Sequence, residues 1–390
     1  GIGTYVTFNS DVIFFATSDP SINSVTIPTQ MGISDAGGWA YSASLPASTS
    51  QTVVTDAGRL LTTGDEFLTG VFAAGSVFNV RMAGNGDVYA VVNLGPDAAT
   101  WTDRSLVRIR DYDTTPTFEI VIQGGTGGVG SSTVLPGGLT VGSNSTTGSL
   151  PRQGGISDDY NVSTNGRYVV AGVDVQGAGI TGVNDKTVFL TDLSTGDRTV
   201  LYREGDPTGD GDNFDNLGGG VPVQVNNNGT VLSAGDTDGN TAADGYLALG
   251  ADIIAREGDV ISGITLNAIG SIALNNLDQH LSVWTAKNGG PETVFFGEGD
   301  GPLVPLIGVG DTFSYYDDLS QEMLNATILD IESQQIALTD DGRGYLVVEF
   351  ASGGGFSPFI GVIEVTIPEP TSGVVLVGTG LMAMRRRRQA

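Results

Sequence analysis

The chain has 390 residues, with 44 acidic against 17 basic side chains and a formal net charge of −27. Such a surface repels nucleic acid and anionic lipid headgroups, stays soluble and attracts divalent cations. Cysteine is absent and histidine occurs once. This excludes disulfides, thiolate nucleophiles, Cys-ligated zinc and multi-histidine zinc sites, and it makes Ser-His-Asp chemistry a poor fit.

From the N-terminus onward, apolar residues fall in short β-branched runs: TYVTF, DVIFF, RYVVAGV, TVFLTDL, YLVVEF and FIGVIEV. Glycine, 59 of the 390 residues, separates these runs, and many short strands between turn signals predict an all-β fold. Helical spacing is scarce before the tail, and its best candidate is Tyr315 to Ile331.

Two elements alternate along the body. The first is a turn followed by a strand: ISDAGGWAYSA, MAGNGDVYAVV, VSTNGRYVVAG, VNNNGTVLSAG, LNNLDQHLSVW and LTDDGRGYLVV. Its turn glycines are Gly37, Gly86, Gly166, Gly229 and Gly342, with Asp278 standing in the fifth copy. Asn, Asp and Gly tolerate positive φ or bond their own backbone, so each copy reads as a tight reversal. The second element is a strand ending in Gly-Asp: GRLLTTGD to Asp65, TVLYREGD to Asp206, DIIAREGD to Asp259 and TVFFGEGD to Asp300. An acid that recurs in this way serves the repeat, for example by holding turn amides.

Together the elements make units of roughly 50 to 65 residues, closer to propeller blades than to solenoid coils. The expectation is a β-propeller body over 1–367 with six blades, or seven if the N-terminal stretch holds a degenerate unit. Strands at Tyr5–Phe8 and Val12–Ala16 are expected to complete a blade with the last copy. Residues 123–155 form a Gly/Ser/Thr-rich insert with little apolar surface, read as a surface loop.

Candidate chemistry is sparse. His280 lies in the apolar strand of the fifth copy and reads as structural, so no catalytic residue is assigned. Asp236, Asp238, Asn240 and Asp244 place oxygen ligands around a Gly bend, a candidate calcium loop without the closing Glu of an EF-hand. A second acidic loop holds Asp206, Asp210, Asp212, Asn213 and Asp215. No other cofactor is implied. Paired carboxylates for glycoside cleavage stay open, since sequence gives no distances. Trp39 and Trp284 fall beside turn copies and read as packing, with Trp101 apart from them.

The tail, residues 368–390, has three parts. Pro368-Glu369-Pro370 is stiff and non-helical. Thr371 to Met384 is uncharged and mostly apolar, and as a short helix of about 14 residues it covers about 21 Å, against about 30 Å of hydrocarbon. Arg385, Arg386, Arg387 and Arg388 form a basic stop that stays cytoplasmic. These three parts in this order resemble the PEP-CTERM sorting signal. The resemblance implies an exosortase-type membrane protease as partner, transient inner-membrane anchoring, and delivery to the cell surface or beyond. The repeats are similar to those of exported bacterial proteins that carry this signal. A secretory signal peptide is expected upstream of Gly1. The role expected of the body is structural or adhesive, with extracellular polysaccharide as its partner. The alternative is a secreted carbohydrate-active enzyme or a glycan-binding propeller.

Overall fold

The computed structural model describes residues 31–45, 50–98, 103–125, 131–142, 160–181, 184–215, 217, 222–241, 243–317, 322–352 and 359–367. These residues form six sheets. The first holds Met31–Ile33, Trp39–Ser44, Gln51–Thr55 and Gly58–Thr62. The second holds Glu66–Leu68, Val71–Met82, Val88–Gly95, Asp103–Arg110 and Thr117–Gly125. The third holds Val134–Leu135, Leu139–Val141, Tyr160–Val162, Tyr168–Gln176, Lys186–Asp192 and Arg198–Arg203. The fourth holds Phe214–Asp215, Val223–Val225, Val231–Thr237, Gly245–Leu249 and Asp252–Arg256. The fifth holds Val260–Ile261, Ile264–Leu274, Gln279–Ala286, Gly290–Glu298 and Val304–Gly308. The sixth holds Thr312–Asp317, Glu322–Leu338, Arg343–Ser352 and Phe359–Thr366.

The sheets are antiparallel, and most strands that neighbour in sequence pair in space; in the third and fourth sheets two short strands share one longer partner, Tyr168–Gln176 and Val231–Thr237. The fold is all-β with propeller-like repeats, and the described residues supply six sheets. By internal contacts the chain falls into two units. One is chiefly Asp11–Val231, the other chiefly Gly239–Ala390, and the division lies inside the fourth sheet.

Within the first unit, the second sheet is covered on both faces. Val88, Ala90 and Val92 point one way, into a core with Ala40, Val53 and Leu61 of the first sheet. Tyr89 and Val91 point the other way, into a core with Tyr160, Val169, Ala171 and Phe189 of the third. A strand with both faces covered needs no polar alternation, which is why this segment reads as the unbroken run VYAVV. In the second unit the fifth sheet repeats the device. Trp284 and Phe295 join Leu232 and Leu247 of the fourth sheet, whereas Leu281, Val283 and Val294 join Ile328, Leu346 and Phe350 of the sixth. Each such side chain contributes about 1.5–3 kcal/mol on burial.

Two sequence expectations change here. The stretch from Tyr315 to Ile331 is no helix. Thr312–Asp317 and Glu322–Leu338 form a hairpin, in register from Thr312↔Thr327 to Asp317↔Glu322. Part of the Gly-rich insert packs: Leu135 and Val141 are buried, and Leu139–Val141 pairs with Tyr168–Gln176. The sixth sheet draws its four strands from Thr312–Thr366. The strands expected at Tyr5–Phe8 and Val12–Ala16 lie outside the described residues, as does the apolar helix expected over 371–384.

The body closes with a buried side chain. Thr366 pairs with Arg343, and Ile367 donates its backbone N–H to the Gly342 carbonyl at 2.8 Å while its side chain enters the fifth and sixth sheets' core.

Candidate functional site

The turn element is found in all six sheets. Gly37, Gly86, Gly166, Gly229 and Gly342 have φ of 85, 91, 70, 84 and 76°, and Asp278 in the fifth copy has φ 58°. Each glycine amide donates to the carbonyl three residues back: Ser34, Ala83, Ser163, Asn226 and Thr339. The turns also bond to one another. Asp35 N–H donates to the Gly84 carbonyl at 2.9 Å and Asn85 N–H to the Thr164 carbonyl at 3.1 Å. Asn165 N–H donates to Asn227 Oδ1 at 2.8 Å, and Asn276 N–H to Asp340 Oδ1 at 2.8 Å. In every case the acceptor is the second residue of the following turn. At two of the four links, Asn227 and Asp340, the turn side chain itself makes the bond between sheets.

The Gly-Asp element links sheets by a second route. Asp65, Asp206 and Asp259 each accept, through Oδ2, the backbone N–H three residues earlier, of Thr62, Arg203 and Arg256, at 2.8 Å. The preceding glycine and the Asp carbonyl then bracket one residue of the next sheet: Ala73, Phe214 and Leu266. The fourth copy is Gly310-Asp311, which brackets Ile328 while Asp311 Oδ2 accepts from Gly308 N–H at 2.8 Å. Asp300, read from sequence as the fourth copy, belongs instead to the turn before Val304–Gly308, where Gly299 N–H donates to the Asp278 carbonyl.

The two acidic loops meet. Phe214 and Asp215 pair with Thr237 and Asp236. Asp238 accepts from Asn213 N–H and Nδ2 at 2.7 Å each, which holds its carboxyl below the usual range. Asn240 is exposed and Asp244 half-buried. Among the described residues no three His, Asp or Glu side chains converge as a metal-holding group.

His280 is fully buried. Its Nε2 faces the Gly299 carbonyl at 3.2 Å, which assigns the proton to Nε2 because a carbonyl only accepts. Nδ1 has no partner. Burial lowers the imidazole to about 4, so it is neutral at physiological pH. The ring lies against Gly297, where a Cβ would collide with it. Trp284 is buried with its Nε1 donating to Ser282 Oγ at 3.1 Å, and Trp39 stacks on Tyr41. Trp101 lies outside the described residues.

Sequence reasoning missed one carboxylate pair. Glu292 of the fifth sheet lies near Asp330 of the sixth, and burial together with the Asp330 and Glu332 charges raises the Glu292 carboxyl above its ordinary value. The pair spans two sheets far apart in sequence, and no local motif announces it.

The C-terminal residues 366–389 match the description "PEP-CTERM protein-sorting motif". The chain carries a PEP-CTERM sorting signal. It is therefore an exported protein with a C-terminal transient membrane anchor, placed at the cell surface or outside the cell, and the signal implies recognition by an exosortase. Pro368, Glu369, Pro370 and Arg385 to Arg388 lie within the matched residues and outside the described ones. Among the described residues no helix is long and apolar enough to cross a membrane.

No curated protein matches the chain. Solved structures similar to the body include prolyl oligopeptidase B from Galerina marginata, at 10% identity and TM-score 0.43, covering 90% of this chain and 42% of that one. A structure described under two prolyl endopeptidases is similar at 12% identity and TM-score 0.35, over 87% of this chain and 50% of that one. An exo-β-1,3-galactanase from Clostridium thermocellum is similar at 10% identity and TM-score 0.29, over 76% and 67%. The chain spans about half the length of the first two. Likeness at this level assigns no activity.

Proposed function

We propose that the body is a structural or adhesive protein of the cell surface or extracellular matrix, delivered there by its PEP-CTERM signal. One observation carries the reading. The acids that recur along the chain are spent on the fold, since Asp65, Asp206, Asp259 and Asp311 all hold the same turn and join one sheet to the next. The remaining acidic surface suits a hydrated, cation-bridged matrix, and extracellular polysaccharide is the partner this implies.

Glu292 and Asp330 depart from the repeat and support a second reading, a carbohydrate-active enzyme. It ranks lower on geometry. The Asp330 charge acts on Glu292 at close range, whereas retaining glycosidases hold their two carboxyls about 5 Å apart and inverting ones wider.

The test incubates the full chain in detergent with polysaccharide from an exporting bacterium and measures both retention on the polymer and polymer length. Retention without shortening is the expected result. Shortening that is lost in Glu292→Gln would replace the structural reading with the enzymatic one. Neither retention nor shortening would overturn both.

A further inference from the structure

The chain contains four Asn-Gly pairs: Asn85-Gly86, Asn165-Gly166, Asn228-Gly229 and Asn288-Gly289. Asn-Gly is the dipeptide most open to attack on the asparagine carboxamide by the next backbone nitrogen, because glycine has no side chain to obstruct the ring that forms. The fold treats the four pairs differently.

Three of them are repeat turns. Their glycine nitrogens, the attacking atoms, are held at 2.9, 2.8 and 3.1 Å by the Ala83, Ser163 and Asn226 carbonyls. Two of the carboxamides are tethered as well. Asn85 Oδ1 accepts from Asp87 N–H, and its Nδ2 donates to Asp87 and to the Asn165 carbonyl. Asn165 Oδ1 accepts from Ser163 Oγ and Arg167 N–H. Two of the glycines are also crowded, Gly166 by the Asn85 carboxamide and Gly229 by the Tyr168 ring.

Gly289 also lies in a 3-10 turn, Lys287–Gly289, but Asn288 has neither the tether nor the crowding. It sits outside the repeat, in the reversal between Gln279–Ala286 and Gly290–Glu298, exposed and with φ 62°. Its carboxamide makes no hydrogen bond among the described residues, and the space around Gly289 is open to 4 Å.

We infer that Asn288 is a site of spontaneous deamidation, while the repeat turns shield Asn85, Asn165 and Asn228. The Gly289 nitrogen, its proton passed to solvent base, bonds to Cγ of Asn288. The Cγ–Nδ2 bond breaks and ammonia leaves, giving a five-membered succinimide. Water then opens the ring at either carbonyl, yielding Asp or isoaspartate at 288. Nothing is oxidised or reduced. The product adds a negative charge beside Lys287, whose Nζ lies 3.5 Å from Glu257 Oε1.

The test ages the full chain in detergent in mildly alkaline buffer, labels isoaspartate with a methyltransferase and quantifies the four sites by peptide mass spectrometry. Tethering of the Asn165 oxygen by two hydrogen bonds slows conversion there by about tenfold or more, so position 288 is expected to lead by at least that factor. A parallel incubation in denaturant is expected to bring the four rates together. Asn288→Gln is expected to remove most of the isoaspartate label from the folded chain. Equal rates in the folded chain, or the same lead for position 288 in denaturant, would overturn the inference.

Discussion

Acidification puts the buried histidine to a quantitative test. The folded imidazole of His280 titrates at about 4, against 6.5 when unperturbed. Because its folded pKa is depressed, the unfolded chain takes up a proton first as pH falls. Stability is therefore fully present above about 6.5, is lost progressively down to about 4, and levels off below that, where both states are protonated. At about 1.4 kcal/mol per pH unit the loss from this one ring is about 3 kcal/mol, a large part of a typical net stability of about 5–15 kcal/mol. His280 is the chain's only histidine, so the proton can be followed directly. Selective labelling of histidine gives one imidazole resonance, and its titration midpoint is expected near 4. Denaturant midpoints at about pH 7 and about pH 4.5, compared with those of His280→Gln, cancel the carboxylates common to both chains. The native chain is expected to lose more stability than the variant across that interval. A resonance titrating near 6.5, or equal losses in the two proteins, would refute the burial argument.

The linking carboxylates predict a contrast. Asp311→Ala removes a charged acceptor from the Gly308 amide and is expected to cost about 1–2 kcal/mol in denaturant unfolding, whereas Asp300→Ala is expected to stay within about 0.5 kcal/mol of the native chain. Glu292 is raised by burial and by Asp330, so its ionised form strains the fold as pH rises. Glu292→Gln is expected to raise the melting temperature at neutral pH, with the gain shrinking toward acid. Gly32 lies where a Cβ would strike the Met82 backbone, so Gly32→Ala is expected to destabilise by about 1–3 kcal/mol and to loosen amide protection in the first sheet. For the Asp236 to Asp244 loop, calorimetry with Ca²⁺ is the check. With Asp238 already held by Asn213, no binding heat is expected, and EDTA is expected to leave the melting temperature unchanged.

How far the sequence could be read follows from where each constraint acts. The six turns were legible because positive φ is a local demand that few residue types meet, and even Asp278 in place of glycine announced itself. The Gly-Asp link was only half legible. Gly299-Asp300 and Gly310-Asp311 share a dipeptide, and what separates them is the residue bracketed, Ile328, which lies on another strand. The hairpin within Tyr315 to Ile331 was misread because its strand pairing is decided by the long third neighbour, Arg343–Ser352, against which Glu322–Leu338 is laid. Leu135 and Val141 were hidden inside a Gly-rich stretch whose average composition masks two well-placed apolar side chains. The Glu292–Asp330 pair depends entirely on two sheets meeting.

Ile367 has a practical consequence for anyone trimming this protein. The sorting signal begins at residue 366, yet residues 366 and 367 are still part of the last sheet and its core. Address and cargo overlap, with no slack between the final plug of the fold and Pro368. A truncation meant to remove only the address must stop after Ile367. One that takes the whole matched segment also pulls the stopper from the last sheet, and any loss of solubility that follows would report on the cut, not on the signal.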